Sequence, residues 1–256
     1  MANTLTIKGI TIGTGIPKIC VSMVGANLER LKEEAAELRL LSPDLVEWRV
    51  DFYEQVEDID RVREALAIIR ALLPDTPLVF TFRSAKEGGE KEVSSSYYVE
   101  LNQAIAQSGQ ADLIDVELFR AEQDVQLLVD TAHAHQVHVI MSNHDFNKTP
   151  AKDELVGRLR KMQELGADLP KIAVMPTSTA DVITLLDATN TMKEQYADRP
   201  IITMSMAANG VISRLSGELF GSAVTFGAAK QASAPGQVAI SELRTMLTMF
   251  HQQLVK

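Results

Sequence analysis

Two apolar, strand-like stretches of the chain each hold one basic residue of a type that does chemistry. His144 lies in the stretch 138–146, and Lys171 stands at the start of the apolar run 171–174. A histidine can take up and return a proton near neutral pH, and an unprotonated lysine amine attacks carbonyl carbons to form imines. Together the two residues predict imine-based catalysis.

Each of these residues also has an interpretation without chemistry. A single histidine at a strand end is commonly a hydrogen-bonded structural residue, and a lysine beside an apolar run commonly extends its ammonium group into water. Arginines in the same pocket would change this for Lys171, because nearby positive charge and burial both favour the neutral amine. The charged residues Glu47, Arg49 and Arg83 could equally form a structural ion-pair network.

The elements that would position these residues alternate between short strands and amphipathic helices. The strand candidates are rich in β-branched or aromatic residues. Between them, apolar residues recur at steps of three and four, as in the helix predicted from Ile59 to Leu73, which Pro74 ends. The strand candidates are Ile19–Met23, Leu45–Val50, Leu78–Phe82, Leu113–Leu118, Val137–Ser142, Lys171–Val174, Ile201–Ser205 and Ala223–Phe226.

Eight βα units with short connections predict an α/β fold, a single (β/α)8 TIM barrel that spans residues 1–256. Residues 1–17 precede the first unit, with turn glycines at Gly9 and Gly13, and predict an N-terminal β-hairpin that closes the bottom of the barrel. Thr149 and Pro150 predict the N-cap and first turn of the helix before the sixth strand. A doubly wound open sheet is the alternative.

Polar residues gather where the predicted strands end, which is where barrel enzymes build their active sites. Because strand side chains alternate, Glu47 and Arg49 share one face, and so do Ser142 and His144. If those faces point into the barrel, the groups converge. The residues concerned are Ser22, Glu47, Arg49, Arg83, His144, Lys171 and Ser205, with Asp115 and Glu117 open to either a structural or a functional interpretation.

Two loop segments could complete such a site. Gly88-Gly89 indicates a mobile loop after Arg83, in which Glu87 is either solvated or holds a histidine in the tautomer that a base needs. The segment 233–237, Ser-Ala-Pro-Gly-Gln, precedes the last predicted helix. It offers a hydroxyl, an amide and helix-end N–H groups to an anion, or is simply an N-cap with a proline turn.

Composition excludes several classes of protein. The 256 residues are 46% hydrophobic and carry a net charge of -9, which argues against a nucleic-acid or anionic-membrane partner. The one cysteine rules out a disulfide framework within the chain, and neither a signal peptide nor a membrane span is visible, so we expect a cytoplasmic protein. Without an HExxH or paired CxxC pattern, we expect no metal site.

The motifs and their order closely resemble type I 3-dehydroquinase, the Schiff-base-forming dehydratase of the shikimate pathway. The resemblance covers nearly the whole chain. Its motifs are Glu47 to Asp51, Phe80 to Arg83 with Glu87-Gly88-Gly89, Ser142 to Phe146, Pro170 to Ala173, Gly210 to Arg214, and Ser233 to Gln237. The loop 207–210 is less charged than the family pattern, which concerns only how that loop closes over the substrate.

The resemblance implies a hydro-lyase that converts 3-dehydroquinate to 3-dehydroshikimate on the route to chorismate and aromatic amino acids. Lys171 would form the imine, His144 would act as general base and then general acid, and Glu87 would orient the histidine. A homodimer without metal or organic cofactor is implied as well. Positions around the substrate carboxylate are matched by Ser22, Arg214, Ser233 and Gln237, and positions near its ring hydroxyls by Glu47, Arg49 and Arg83.

Two other functions stay open at this point. A lysine-dependent aldolase or transaldolase could use the same barrel on a sugar phosphate, with Gly221-Ser222 and Gly227 around the last strand as the phosphate grip. A non-catalytic binding protein for hydroxylated carboxylic acids could use Lys171 as a counter-ion, in which case Lys171→Arg should retain affinity.

Overall fold

An antiparallel hairpin precedes the main sheet. In the computed structural model, which describes residues 4–229 and 236–256, strands β1 (Leu5–Ile7) and β2 (Ile10–Ile12) pair with Leu5 opposite Ile12. Gly9 at the turn has a φ of 81°, a backbone conformation that glycine adopts without steric cost. The hairpin predicted from the sequence is therefore present.

The main sheet consists of parallel strands in nearly sequential order, β11-β10-β3-β4-β5-β6-β7-β8-β9. The sheet closes between β9 and β10. There Ile201 and Ser222 form an isolated parallel bridge, and the Ala223 amide donates to the Ile201 carbonyl at 2.8 Å. This order confirms the predicted barrel and excludes the doubly wound sheet. The strands are β3 (Lys18–Met23), β4 (Leu45–Arg49), β5 (Leu78–Thr81), β6 (Leu113–Glu117), β7 (His138–Asp145), β8 (Leu169–Val174), β9 (Ile202–Ser205), β10 (Val224–Ala228) and β11 (Val238–Ala239).

Helices connect the strands, and the seventh connection departs from the pattern of one long helix. It is built from two short helices and a 3-10 turn, and in it Gly210 and Gly217 lie so close to the carbonyls of Ser205 and Ser222 that a side chain would not fit. The helices are α1 (Leu28–Leu41), α2 (Ile59–Leu72), α3 (Ser95–Ala106), α4 (Glu122–Ala134), α5 (Lys152–Glu164), α6 (Thr179–Gln195), α7 (Val211–Leu215), α8 (Gly217–Phe220) and α9 (Ile240–Leu254). None of the helices in the described ranges combines the length and hydrophobicity that a bilayer crossing needs.

Apolar side chains pack on both faces of the barrel strands, as expected for a parallel sheet covered by helices. The larger cluster fills the layer between sheet and helices and includes Trp48 and Phe80. A smaller cluster lies inside the barrel, where Ile7 and Ile12 of the hairpin join residues from strands β3 to β10. Toward the strand starts these are Cys20, Leu45, Val79, Leu113, Ile140, Leu169, Ile202 and Val224, and toward the carboxyl ends they are Ala173, Met204 and Phe226.

Removing the buried Ile12 side chain should therefore destabilise the whole barrel. Ile12 is fully buried, so we expect Ile12→Ala to lower the free energy of unfolding by about 2–5 kcal/mol. The change is measured as a shift in the urea midpoint at constant slope. Leu40→Ala, at a side chain 87% exposed, is the control and should change stability by less than about 0.5 kcal/mol. Equal stability of Ile12→Ala and wild type would show that the hairpin is dispensable.

Three local boundaries differ from the sequence prediction. Helix α5 begins at Lys152 with Ala151 as its N-cap, and the hydroxyl of Thr149 instead donates to the Met175 carbonyl at 3.1 Å. Strand β7 continues past Ser142 to Asp145, and β8 begins at Leu169. Consequently Lys171 is the third residue of its strand and lies two residues nearer to the carboxyl ends than the strand start.

Candidate active site

Alternation along the strands produces a polar layer above the apolar floor of the barrel. On each of three strands, an inward apolar residue of the inner cluster is followed two positions later by a buried polar one: Glu47 after Leu45, Asp115 after Leu113, and Lys171 after Leu169. Side chains two apart on a strand share a face. The barrel interior is therefore apolar at the amino ends of the strands and charged at their carboxyl ends.

A cavity of about 130 Å³ opens above this polar layer. It brings together seven of the residues predicted from the sequence, and apolar side chains supply the rest of its wall. The predicted residues are Glu47, Arg49, Arg83, Glu87, His144, Lys171 and Gln237; the others are Gly88, Phe146, Ala173, Met204, Met206 and Phe226.

Lys171 lies at the base of the cavity and is 4% exposed. Its Nζ is 3.9 Å from Glu47 Oε1, 4.0 Å from Asp115 Oδ2 and 4.4 Å from the centroid of the Phe226 ring. From the sequence we expect arginines around this amine. In the structure two carboxylates border it instead. Carboxylates at this distance stabilise a cation on the nitrogen, which applies to an ammonium and equally to a protonated imine.

His144 and Glu87 form a pair at the cavity wall. The ring Nδ1 of His144 is 3.0 Å from Glu87 Oε2, and the His144 backbone N–H donates to the same oxygen at 2.9 Å. Burial, reinforced by the Arg83 and Lys171 cations, holds the pKa of His144 well below its ordinary value. The ring is thus neutral at neutral pH, as a general base must be.

Burial also raises the pKa of Glu87 to about 7, although Arg83 favours its charged form. Glu87 belongs to a 3-10 turn (Ala85–Glu87) that contacts strand β7. A side chain at Gly89 would come within 1.9 Å of the Arg83 carbonyl, so only glycine permits this approach. The carboxyl group is buried, and the interpretation of Glu87 as a solvated residue is therefore wrong.

Arg83 links the pair to the polar layer. Its guanidinium contacts Asp115 at 2.8 Å and Glu117 at 3.2 Å, and it donates to the Ser142 hydroxyl at 2.9 Å. Burial of the guanidinium is outweighed by these carboxylates, so its pKa lies well above the ordinary value. The cation is therefore permanent and fixes the orientation of Asp115 beside Lys171.

Glu47 and Arg49 occupy the adjoining wall. Glu47 accepts hydrogen bonds from the hydroxyls of Ser22 at 2.6 Å and Thr81 at 3.0 Å. Burial alone would raise the pKa of Glu47, but Lys171, Arg49 and the Ser22 hydroxyl lower it overall. Arg49 is held by a two-pronged bond to Asp51, with N···O distances of 2.8 and 2.7 Å. Both side chains are thus anchored before any ligand binds.

Arg214 is buried next to the cavity wall. It is 1% exposed, and its Nη1 contacts the Phe226 carbonyl at 3.4 Å and the Met204 sulfur at 3.8 Å, two residues that line the cavity. Desolvation lowers the pKa of this guanidinium to about 10. A buried cation of this kind gains free energy when an anion approaches it.

The remaining predicted positions have different outcomes. Ser22 borders a neighbouring cavity of about 770 Å³ and reaches the polar layer through Glu47. Ser233 lies outside the described residues. Gln237 lines the active cavity but does not lead directly into helix α9, because β11 intervenes and Ala239 is the N-cap. The contribution of helix-end N–H groups to an anion site in this segment stays a prediction.

Sequence reasoning missed several residues that support the site. Asp51 holds Arg49, Arg120 holds Glu117 through two bonds of 3.1 and 2.8 Å, and Phe226 covers Lys171. Asn143, between Ser142 and His144, donates to Glu87 at 3.2 Å. The available signal was a polar residue next to each strand-end charge, but sequence spacing does not pair residues that come from different strands.

The residues proposed as the phosphate site of an aldolase do not lie together at this end of the barrel. Gly221 and Ser222 precede β10 and therefore lie at the amino ends of the strands, where the Ser222 hydroxyl donates to the Thr203 carbonyl at 3.1 Å. Gly227 packs against Leu243 and Ile19. Among the described residues, no group of three His, Cys, Asp or Glu side chains has an arrangement that could hold a metal ion.

Comparison with known proteins places this geometry in a family. The sequence profile of type I 3-dehydroquinase matches residues 19–254. The 3-dehydroquinate dehydratase of Bacillus licheniformis is 64% identical over 254 residues, which cover 99% of this chain and 100% of that protein. The corresponding enzyme of Listeria welshimeri is 62% identical over 98% of this chain and 99% of its own length.

Solved structures share this fold. The type I 3-dehydroquinate dehydratase of Clostridium difficile, solved with covalent modified comenic acid, superposes with a TM-score of 0.97 at 56% identity, covering 99% of this chain and 100% of that one. The enzyme of Geobacillus kaustophilus gives 0.95 at 37% identity, over 98% and 97% of the two chains. A 3-hexulose-6-phosphate synthase, at 17% identity and a TM-score of 0.58, shares the fold alone.

Proposed function

The chain belongs to the type I 3-dehydroquinase family and dehydrates 3-dehydroquinate to 3-dehydroshikimate in the shikimate pathway, and on that premise we propose that Lys171 carries the reaction as an imine. The observation that supports this most directly is the position of Lys171, a buried amine at the base of the cavity with an acid–base pair beside it. The amine adds to the ring ketone, and the ketone oxygen leaves as water.

The two carboxylates beside Lys171 suit the charge of this intermediate. A protonated imine is a cation, and Glu47 and Asp115 lie within 3.9 and 4.0 Å of the nitrogen that bears it. The positive imine withdraws electrons from the neighbouring carbon and acidifies its C–H bond. The reaction therefore needs no metal or organic cofactor, because the iminium serves as the electron sink.

His144 moves the protons in this proposal. Its Nδ1 faces Glu87, so the Nε2 lone pair is left to take the proton from the acidified carbon. The resulting enamine expels the ring hydroxyl, which leaves as water after receiving that proton from His144. A second water then hydrolyses the imine, releases 3-dehydroshikimate and restores the amine of Lys171.

The remaining polar residues bind the substrate. We assign its carboxylate to Arg214 and Gln237, with Ser22 and Ser233, because a desolvated guanidinium favours an anionic ligand. We assign its ring hydroxyls to Glu47, Arg49 and Arg83, whose side chains line the cavity in fixed orientations. The proposal further includes the whole chain 1–256 as one domain, a homodimer and a cytoplasmic location, in keeping with the family resemblance.

The proposal is tested by trapping the imine. The protein is incubated with 3-dehydroquinate and borohydride, which reduces an imine to a stable amine, and is then examined by intact mass and peptide mapping. We expect one adduct on the peptide that contains Lys171. Dehydration of substrate in the unreduced control without any adduct would disprove the covalent route.

A further inference from the structure

A directional chain of hydrogen bonds runs from helix α5 into the barrel and ends at the catalytic pair. Arg158 Nη1 donates to Asn143 Oδ1 at 2.6 Å, and Asn143 Nδ2 donates to Glu87 Oε1 at 3.2 Å. The other oxygen of Glu87 accepts from the backbone of His144 and faces its ring Nδ1. Arg158 is therefore connected to the imidazole through two side chains.

The chemistry of Arg158 fixes the direction of this chain. A guanidinium can only donate hydrogen bonds, so the Asn143 atom that faces it must be the amide oxygen. The amide NH₂ then faces Glu87, which must accept. Since the backbone N–H of His144 also requires an acceptor, the carboxylate is favoured in its ionised form, and the ring proton of His144 is drawn to Nδ1.

We propose that Arg158 and Asn143 are positioning residues that set the tautomer of His144 by forcing Glu87 to act as an acceptor. This inference rests on the roles assigned above to Glu87 and His144. With the proton on Nδ1, the Nε2 lone pair is available to the substrate. With the amide of Asn143 reversed, Glu87 would be favoured in its protonated form and the lone pair could move to Nδ1.

Arg158 is held in place independently of the active site. It pairs with Glu154 one turn earlier on α5, and its guanidinium lies 5.1 Å from the centroid of the Phe119 ring. Asn143 is 4% exposed and occupies the face of β7 opposite to His144, between strand and helix. The hydrogen-bond chain therefore couples the orientation of Arg158 on helix α5 to that of Glu87 inside the barrel.

Several charged groups besides Asn143 face the catalytic pair. Arg83 lies 3.6 Å from Glu87 and favours its ionised form, whereas Glu117 and burial oppose it. Lys171 and Arg83 both oppose a positive charge on His144, and Arg49 acts in the same direction. The hydrogen bond from Asn143 adds to the groups that favour the ionised form of Glu87, so its loss should raise the pKa of that carboxyl group further.

Two substitutions break the hydrogen-bond chain at different residues. Arg158→Met abolishes the donor while keeping side-chain length, and Asn143→Leu abolishes the amide. We expect kcat/KM at pH 7 to fall about fivefold in each, because moving the pKa of the pair from about 7 to about 8 lowers its reactive fraction from about one half to about one tenth. The acid limb of the pH profile should move up by about one unit, with activity recovering towards wild type at higher pH. Arg158→Lys, which also only donates, should restore part of the loss.

A nitrogen-15 NMR spectrum of the histidine rings reports the tautomer directly. We expect His144 to carry its proton on Nδ1 in wild type and to shift towards Nε2 in Arg158→Met. The matched control is Arg160→Met on the same helix, where the guanidinium lies 4.7 Å from the Tyr196 ring centroid instead. A structural defect would lower activity at every pH and would not change the tautomer.

The inference is overturned if Arg158→Met keeps the wild-type tautomer and pH profile, or if Arg160→Met changes them equally. That failure is distinct from a failure of the proposed function. Borohydride should still trap the adduct on Lys171 in both chain variants, and loss of the adduct in wild type would point to the imine itself. Should Asn143→Leu not fold, Arg158→Met alone still decides the outcome.

Discussion

Lys171→Ala is expected to abolish both dehydration and borohydride trapping. No other amine in the proposed mechanism can attack the ketone, so without Lys171 the ketone is never converted to an electron sink. The activity should fall to the level of the uncatalysed reaction, measured by the appearance of 3-dehydroshikimate over time. The variant also leaves the buried carboxylates Glu47 and Asp115 without the ammonium, so its folding must be verified by circular dichroism.

Two further variants show whether the effect belongs to the amine. Lys171→Arg keeps the positive charge but cannot form an imine, and it should be inactive as well. A protein that merely binds hydroxylated acids would retain its affinity in this variant. Lys161→Ala, at a lysine paired with Glu122 on the surface, should have wild-type activity and accumulate the same adduct. Turnover by Lys171→Ala at the wild-type rate would remove the basis of the mechanism.

His144→Ala should differ from the lysine variants in kind. The imine can still form, so the adduct on Lys171 should be trapped, while kcat falls by about 10²- to 10⁴-fold because a general acid–base is missing. Single-turnover measurements separate the formation of the imine from the loss of water. His135→Ala, at an exposed histidine that follows helix α4, is the matched control and should leave kcat unchanged.

The pH dependence follows from the same pair. Glu87, with its pKa raised to about 7 by burial, and His144 titrate together, and the reactive form is a carboxylate beside a neutral ring. As the pH falls through about 7, the pair takes up a proton and the reactive form is lost, whichever group carries that proton. We expect kcat/KM to drop about tenfold per unit below that point, and the residual activity of His144→Ala to lack this limb. An unchanged acid limb in His144→Ala would assign it to another group.

The order of strands and helices in this protein was predictable from its sequence, because each of them buries one apolar face and so shows a regular spacing of apolar residues. Alternating strand and helix patterns gave all eight barrel strands, each within a few residues of the observed bounds, and the hairpin before them. Strand ends were less predictable. Pro170 lacks an N–H and so resembles a strand boundary, yet β8 runs through it and places Lys171 in the interior.

The sequence also identified most of the residues that line the cavity. Strand-end position and alternation placed Glu47 and Arg49 on one face and His144 at the end of another strand, and the two loop segments, supported by the family motifs, added Glu87 and Gln237. The roles given to these residues stay predictions until the variants are measured. What the motifs could not indicate is how the residues pair, since Glu87 and His144 are 57 positions apart in the chain.

The chain alone thus determined the fold, the family and the chemical groups of the site, because these depend on local periodicity and on residue type. Only the tertiary structure decided which charges meet. It placed two carboxylates beside Lys171, buried Arg214 against Phe226 and Met204 of the cavity wall, and joined Arg158 to Glu87 through Asn143. These contacts join different strands and helices, and their electrostatic effects depend on distances and burial that arise when the barrel closes.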